Sequence, residues 1–225
     1  MFIVMEGLDG AGKSTQVRLL RAYLEERLGE VSYIHFPRYD APVYGSLISR
    51  FLRGEFGAID KVHPQLVALL FAEDRHGAAP EIRSLLREGK TVLLDRYVYS
   101  NVAYQCAKLS RENAREGLRE WILNTEFGEF DLPRPDLNIF LDVPIEFVKE
   151  RLQENRAGSD RNYLRGAGDI HEADIEFQKT VRGIYLRQVS LDENFIRVDC
   201  STPDGSMPSP EDIFNRVKKV VDEYL

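Results

Sequence analysis

The sequence predicts an α/β fold built on a parallel sheet, and three observations carry that expectation. Five short apolar runs alternate with segments of helical period along the chain. The first run leads into Gly7-Leu8-Asp9-Gly10-Ala11-Gly12-Lys13-Ser14, which meets the pattern G-x-x-x-x-G-K-[ST] at every fixed position. The composition, 43% hydrophobic and 30% charged over 225 residues, suits one domain with room for a mobile insertion.

Phe2-Ile3-Val4-Met5 reads as the first strand, short and apolar throughout. Beyond the glycine-rich turn, Val17, Leu20, Leu24 and Leu28 recur at helical spacing. Strand, turn and helix together supply what a phosphate needs. Glycines let backbone N–H groups curl around its oxygens, and the helix N-terminus adds a positive dipole end. Lys13 is placed to reach outer phosphates, and the Ser14 hydroxyl to hold Mg²⁺.

Val31 to Phe36 reads as the second strand, closed by Pro37, and residues 43–53 as a short amphipathic helix with Leu47, Ile48, Phe51 and Leu52. A long helical stretch runs from Pro64 past Pro80 to Gly89, a suitable C-cap. Thr91 to Asp95, Leu137 to Val143 and Phe195 to Asp199 complete the strands, and their alternation with helices implies right-handed parallel crossovers. The last helix opens on Ser209-Pro210-Glu211-Asp212, an N-cap serine with proline at the first helical position. Its buried face is predicted as Ile213, Val217, Val220, Val221 and Tyr224. Asn155 to Gly168 fits neither period; its Arg156, Arg161 and Arg165 among glycines suggest a lid at about 155–169.

A net charge of -7 argues against a nucleic-acid-binding surface. Two cysteines, Cys106 and Cys200, are too few for a disulfide framework. No apolar run approaches the roughly 20 residues needed to span a membrane, and no signal peptide precedes the first strand, so a cytoplasmic protein is expected.

A glycine-rich phosphate loop names a nucleotide and leaves the reaction open. Asp95-Arg96 stands at the tip of a strand, where a carboxylate meets a Mg²⁺-water cluster and an arginine grips a phosphate bidentately. The N-K-x-D base-reading motif of GTPase switches is absent.

The chain resembles the thymidylate kinases over nearly its whole length. Glu6 to Thr15 is similar to the family's P-loop, Phe36-Pro37-Arg38-Tyr39 to its Phe-Pro loop, and Leu70 to Arg75 to its base-binding helix. Asp95 to Gln105 resembles its Asp-Arg-Tyr signature, and Arg156 to Glu172 its lid and the following helix. The resemblance implies a P-loop kinase fold with sheet order 2-3-1-4-5. It implies ATP- and Mg²⁺-dependent phosphorylation of dTMP to dTDP, and a homodimer. ATP would lie along Gly7, Leu8, Asp9, Gly10, Ala11, Gly12, Lys13, Ser14 and Thr15, with the metal near Ser14, Asp95 and Asp9. The adenine would touch Asp199-Cys200-Ser201. dTMP would meet Asp9, Phe36, Pro37, Arg38, Tyr39, Phe71, Arg75, Arg96, Ser100, Asn101, Tyr104, Gln105, Asp169 and Glu172. Phe71 would stack on thymine, Arg75 would donate to its O4, and Arg38 and Arg96 would hold the acceptor phosphate. Lys13, Asp9, Arg96 and the lid arginines Arg156, Arg161 and Arg165 would be catalytic. Two rivals stand beside this reading: a kinase with another acceptor, and a switch protein that hydrolyses ATP slowly.

Overall fold

A computed structural model of the chain describes residues 1–153, 159–165, 168–172 and 174–225. Its strands are β1 (Phe2–Gly7), β2 (Val31–His35), β3 (Thr91–Asp95), β4 (Leu137–Asp142) and β5 (Phe195–Asp199). All pairings are parallel, in the order β2-β3-β1-β4-β5, as the sequence predicts. The three central strands are buried at every residue, which is why they read as continuous apolar runs. Register places Met5 beside Asp95 and Asp142 beside Asp199, so the strand tips share one edge. Ligands of open parallel sheets bind along that edge.

The helices are α1 (Lys13–Leu28), α2 (Tyr44–Leu52), α3 (Pro64–Arg87), α4 (Val98–Cys106), α5 (Glu112–Leu123), α6 (Ile145–Gln153), α7 (Ile175–Val189) and α8 (Pro210–Asp222). Helix α3 continues through Pro80 and ends with Gly89 just beyond it at φ 72, the left-handed backbone that glycine adopts at low cost. Helix α8 begins as predicted, with the Ser209 hydroxyl accepting from the Asp212 N–H at 3.1 Å. Its buried face is Ile213, Val217 and Val221. Val220 is half-buried, and Tyr224 lies past the helix end and is 37% exposed, which corrects the sequence reading there.

Two features escape a periodicity reading. A π-helical turn, Asn124–Glu129, extends α5. A 3-10 helix, Ser159–Leu164, occupies part of the segment expected to be aperiodic. Beside the main core, a small cluster of Ile48, Phe51, Leu52 and Val67 joins α2 to α3, with Phe71, Tyr39 and Tyr163 packed on it. That cluster supports the pocket described next.

Candidate active site

The glycine-rich loop between β1 and α1 opens into a cavity of about 1050 Å³. Gly10 and Gly12 both stand at φ 76, where a Cβ would be strained, and α1 carries no side-chain cap. Its N-terminal end therefore faces the cavity as an anion site built of backbone. Asp9, Gly10, Ala11, Gly12, Lys13, Ser14 and Thr15 line it, with Asp95, Arg96 and Glu172. Met207 and Pro208 from the β5–α8 connection and Pro210 at the start of α8 line its far side, whereas Asp199-Cys200-Ser201, expected at the adenine, does not. Burial and the Arg96 charge lower the Lys13 ammonium to about 8, and its Nζ donates to the Leu8 carbonyl at 3.0 Å.

The donor set fits Mg²⁺. Asp95 is 4% exposed, and its buried Oδ1 has no hydrogen-bond partner. Ser14 is exposed on the same cavity. Among the described residues no cluster of three or more His, Cys, Asp or Glu side chains could hold a metal alone, so donor phosphates would have to complete the shell.

A second, narrow cavity of about 70 Å³ adjoins the first, and Asp9, Pro37, Tyr39, Arg96 and Tyr163 line both. Phe36, Phe71, Arg75, Ser100, Asn101, Tyr104, Gln105 and Asp169, which the family resemblance groups around one substrate, also line the second cavity. Glu172 borders the larger cavity instead. Arg38 lines neither. Its Nε donates to Asp74 Oδ1 at 3.0 Å and its Nη2 to the Asp74 carbonyl at 2.6 Å, so it is turned toward α3.

Arg96 stands at the junction with φ 69, an uncommon backbone for a residue with a Cβ. Its Nη1 donates to the Gly7 carbonyl at 2.9 Å and to Ser100 Oγ at 3.1 Å. Its Nη2 donates to Asp9 Oδ1 at 2.6 Å. The other Asp9 oxygen accepts from Tyr104 Oη at 2.8 Å. Burial would raise the Asp9 carboxyl, but the Arg96 and Lys13 charges outweigh it and hold it at about 2.

Helix α4 has no cap from its own sequence. Glu6, on β1, supplies one across the sheet: Oε1 accepts from the Tyr97 N–H at 2.9 Å and the Ser100 N–H at 3.2 Å. Its second oxygen accepts from Ser100 Oγ and from Tyr185 Oη. Burial raises the Glu6 carboxyl above its ordinary value.

At the far end of the narrow cavity, Asn101 Nδ2 donates to the Ala68 carbonyl at 2.9 Å and to Glu126 Oε1 at 2.8 Å. Both partners are acceptors only, which fixes the amide orientation. Asn101 Oδ1 is buried without a partner. Arg75 lines the same end, held bidentately by Glu126.

A family model described as thymidylate kinase matches residues 5–207. The chain belongs to the thymidylate kinase family. Curated relatives include the thymidylate kinase of Mycobacterium tuberculosis, 38% identical over 82% of this chain and 84% of that protein. That of Plasmodium falciparum is 31% identical over 98% of this chain and 89% of that one. Among solved structures, the thymidylate kinase of Candida albicans superposes with a TM-score of 0.71 at 26% identity, covering 99% of this chain and 91% of the other.

Several side chains that shape this kinase's site were invisible to the sequence reading. Glu6, Asp74 and Glu126 are buried carboxylates that clamp Ser100, Arg38 and Arg75 from behind. Tyr163 stacks on Tyr39 with ring centroids 3.9 Å apart, and its hydroxyl donates to Asp169 at 2.7 Å. Burial and the Asp9 charge raise the Asp169 carboxyl to about 7. His171 is buried beside Tyr104, and burial keeps its ring neutral by lowering it well below its ordinary value. The only signal available for the carboxylates was an acidic residue within an otherwise apolar segment, as at Glu6. Of the lid arginines, Arg156 lies outside the described residues, Arg161 sits on the 3-10 helix, and Arg165 is exposed at φ 50.

Proposed function

We propose that this thymidylate kinase transfers the γ-phosphoryl group of ATP to dTMP, giving ADP and dTDP, with ATP in the large cavity and dTMP in the narrow one. The observation that carries the acceptor assignment is the pairing of Asn101 with Arg75. Asn101 offers an acceptor and Arg75 donors at the inner end of a flat, aromatic-lined slot. Thymine presents the complement, an N3–H donor beside the O4 acceptor. Cytosine presents the inverse, an N3 acceptor beside an amino donor, and would leave Asn101 Oδ1 unpaired at a cost of about 1–3 kcal/mol.

The acceptor nucleophile is a phosphate oxygen, already ionised near neutral pH, so no general base is required. Arg96 grips the acceptor phosphate and Lys13 the donor phosphates, while Asp9 holds Arg96 in place. Ser14 and Asp95 would hold Mg²⁺, which would supply charge neutralisation of the donor phosphates. The arginines at 156, 161 and 165 add positive charge as the lid closes, in a drier site where each charge counts for more. A homodimer and a cytoplasmic location accompany this reading; among the described residues no helix is long and apolar enough to cross a membrane.

The test is ADP release from ATP with dTMP, dCMP, dGMP or no acceptor. Release that depends on dTMP, with dCMP at least tenfold poorer, is expected. Equal release without any acceptor identifies an NTPase and overturns the assignment.

A further inference from the structure

Glu126 is a fully enclosed carboxylate of the acceptor region, with 0% of its surface exposed, and nothing in the phosphoryl-transfer chemistry uses it. It arrives there by an unusual route. The chain leaving α5 widens into the π-helical turn Asn124–Glu129, closed by the Phe130 N–H donating to the Thr125 carbonyl at 2.8 Å. Such turns redirect side chains that an α-helix would aim elsewhere. Here Thr125 and Glu126 are the residues of the turn driven into the interior.

One carboxylate then serves two readers. Oε2 accepts from Arg75 Nε at 2.5 Å and Oε1 from Arg75 Nη2 at 2.7 Å, which commits one edge of the guanidinium and leaves Nη1 outside the pair. Oε1 also accepts from Asn101 Nδ2 at 2.8 Å. An asparagine amide has two orientations of nearly equal shape, and they present opposite hydrogen-bonding groups. Facing a carboxylate, only the NH₂ can point toward Glu126, so the oxygen must point elsewhere. The unpartnered Oδ1 is the consequence.

We propose that Glu126 is a positioning residue for base specificity: its charge fixes Asn101 as an acceptor and Arg75 as a donor, and so selects the thymine edge over the cytosine edge. This rests on the reading of the narrow cavity as the dTMP site. Replacing the carboxylate with an amide of the same shape removes the selection. A glutamine there can donate to Asn101 Oδ1, which frees the Asn101 NH₂ to meet the acceptor N3 of cytosine.

The experiment compares kcat/KM for dTMP and dCMP, and KM for ATP, in wild type and Glu126→Gln. A drop of at least tenfold in the dTMP-to-dCMP ratio is expected, with KM for ATP within twofold of wild type. A ratio within twofold of wild type in the folded variant overturns the proposal. Should that variant fail to fold, Asn101→Ala carries the test. It removes the acceptor that Glu126 holds toward the cavity, so the same loss of ratio is expected, and an unchanged ratio again overturns the proposal. The underlying assignment fails separately: a wild-type enzyme that does not prefer dTMP to dCMP rejects the dTMP site itself, whatever the variants do.

Discussion

The two halves of the site are built in opposite ways. The donor cavity is broad, about 1050 Å³, and its floor is one contiguous turn whose backbone makes the anion site. The acceptor cavity is about 70 Å³ and is walled by side chains from the β1–α1 turn, the β2–α2 loop, α2, α3, the β3–α4 junction, α4 and the segment before α7. A phosphate is nearly spherical, and N–H groups on a glycine-rich turn suit it in many orientations. A base has a directional edge, so it needs side chains held in single rotamers. Ordering an arginine or glutamine costs up to about 1.5–2 kcal/mol of side-chain freedom, and a buried carboxylate behind each reader offsets that cost before substrate arrives. Glu6 and Glu126 fill that role behind Ser100 and Arg75.

Three perturbations sharpen or break this contrast. The largest effect falls on the donor half. Lys13→Ala removes the one side-chain cation of the glycine-rich turn, and turnover should drop by roughly 10²–10³-fold or more while the protein stays folded. ADP release beside a melting curve measures both. Near wild-type turnover in the folded variant would mean that backbone alone suffices, and the assignment of the loop would fail.

Arg75→Ala probes the acceptor half. Loss of a charged hydrogen bond should weaken dTMP by about 1.5–3 kcal/mol and leave ATP unchanged. It also strands Glu126 as an uncompensated buried charge, so stability should fall by about 3–5 kcal/mol. Titration of both nucleotides with thermal unfolding reads the two consequences apart. Equal weakening of ATP and dTMP would erase the division of labour.

The smallest effect is a pH slope. Asp169 is raised from 3.8 to about 7 by burial and by Asp9. The unfolded chain releases this proton near 3.8, whereas the folded one keeps it to about 7, so the folded state binds more protons between those values. The contribution of Asp169 to stability is therefore full below pH 3.8 and is lost as pH rises through 7. Asp169→Asn cannot titrate. Wild-type melting temperature minus that of the variant should decline steadily from pH 4.5 to 7.5; a constant difference shows that Asp169 holds no proton there.

The same contrast explains what could be read from the sequence. Parallel strands buried on both faces must be apolar runs, so all five strands followed from pattern, and their order from the family resemblance. The donor loop is local in sequence and was legible residue by residue. The acceptor side chains were found through their likeness to a family signature, because Phe71, Asn101 and Tyr104 look like ordinary helix-face residues in isolation. Their clamps were not found. Glu126 is 51 residues from Arg75 and 25 from Asn101, and no periodicity links such distances. Arg38 shows the same gap: its residue type suits a phosphate, yet here Asp74, 36 positions away, holds it toward α3.

Among the described residues Asp9 is the one carboxylate that borders both cavities, and Arg96 and Lys13 keep it anionic down to about pH 2. If the two cavities hold the two nucleotides as proposed, a linker joining them would pass a carboxylate whose charge Arg96 and Lys13 offset. A phosphate linker would have to compete with Asp9 for those two cations. A neutral or cationic bridge between a purine head and a thymine head would turn the same carboxylate from a competitor into an anchor, and would also shed charge that hinders passage through membranes.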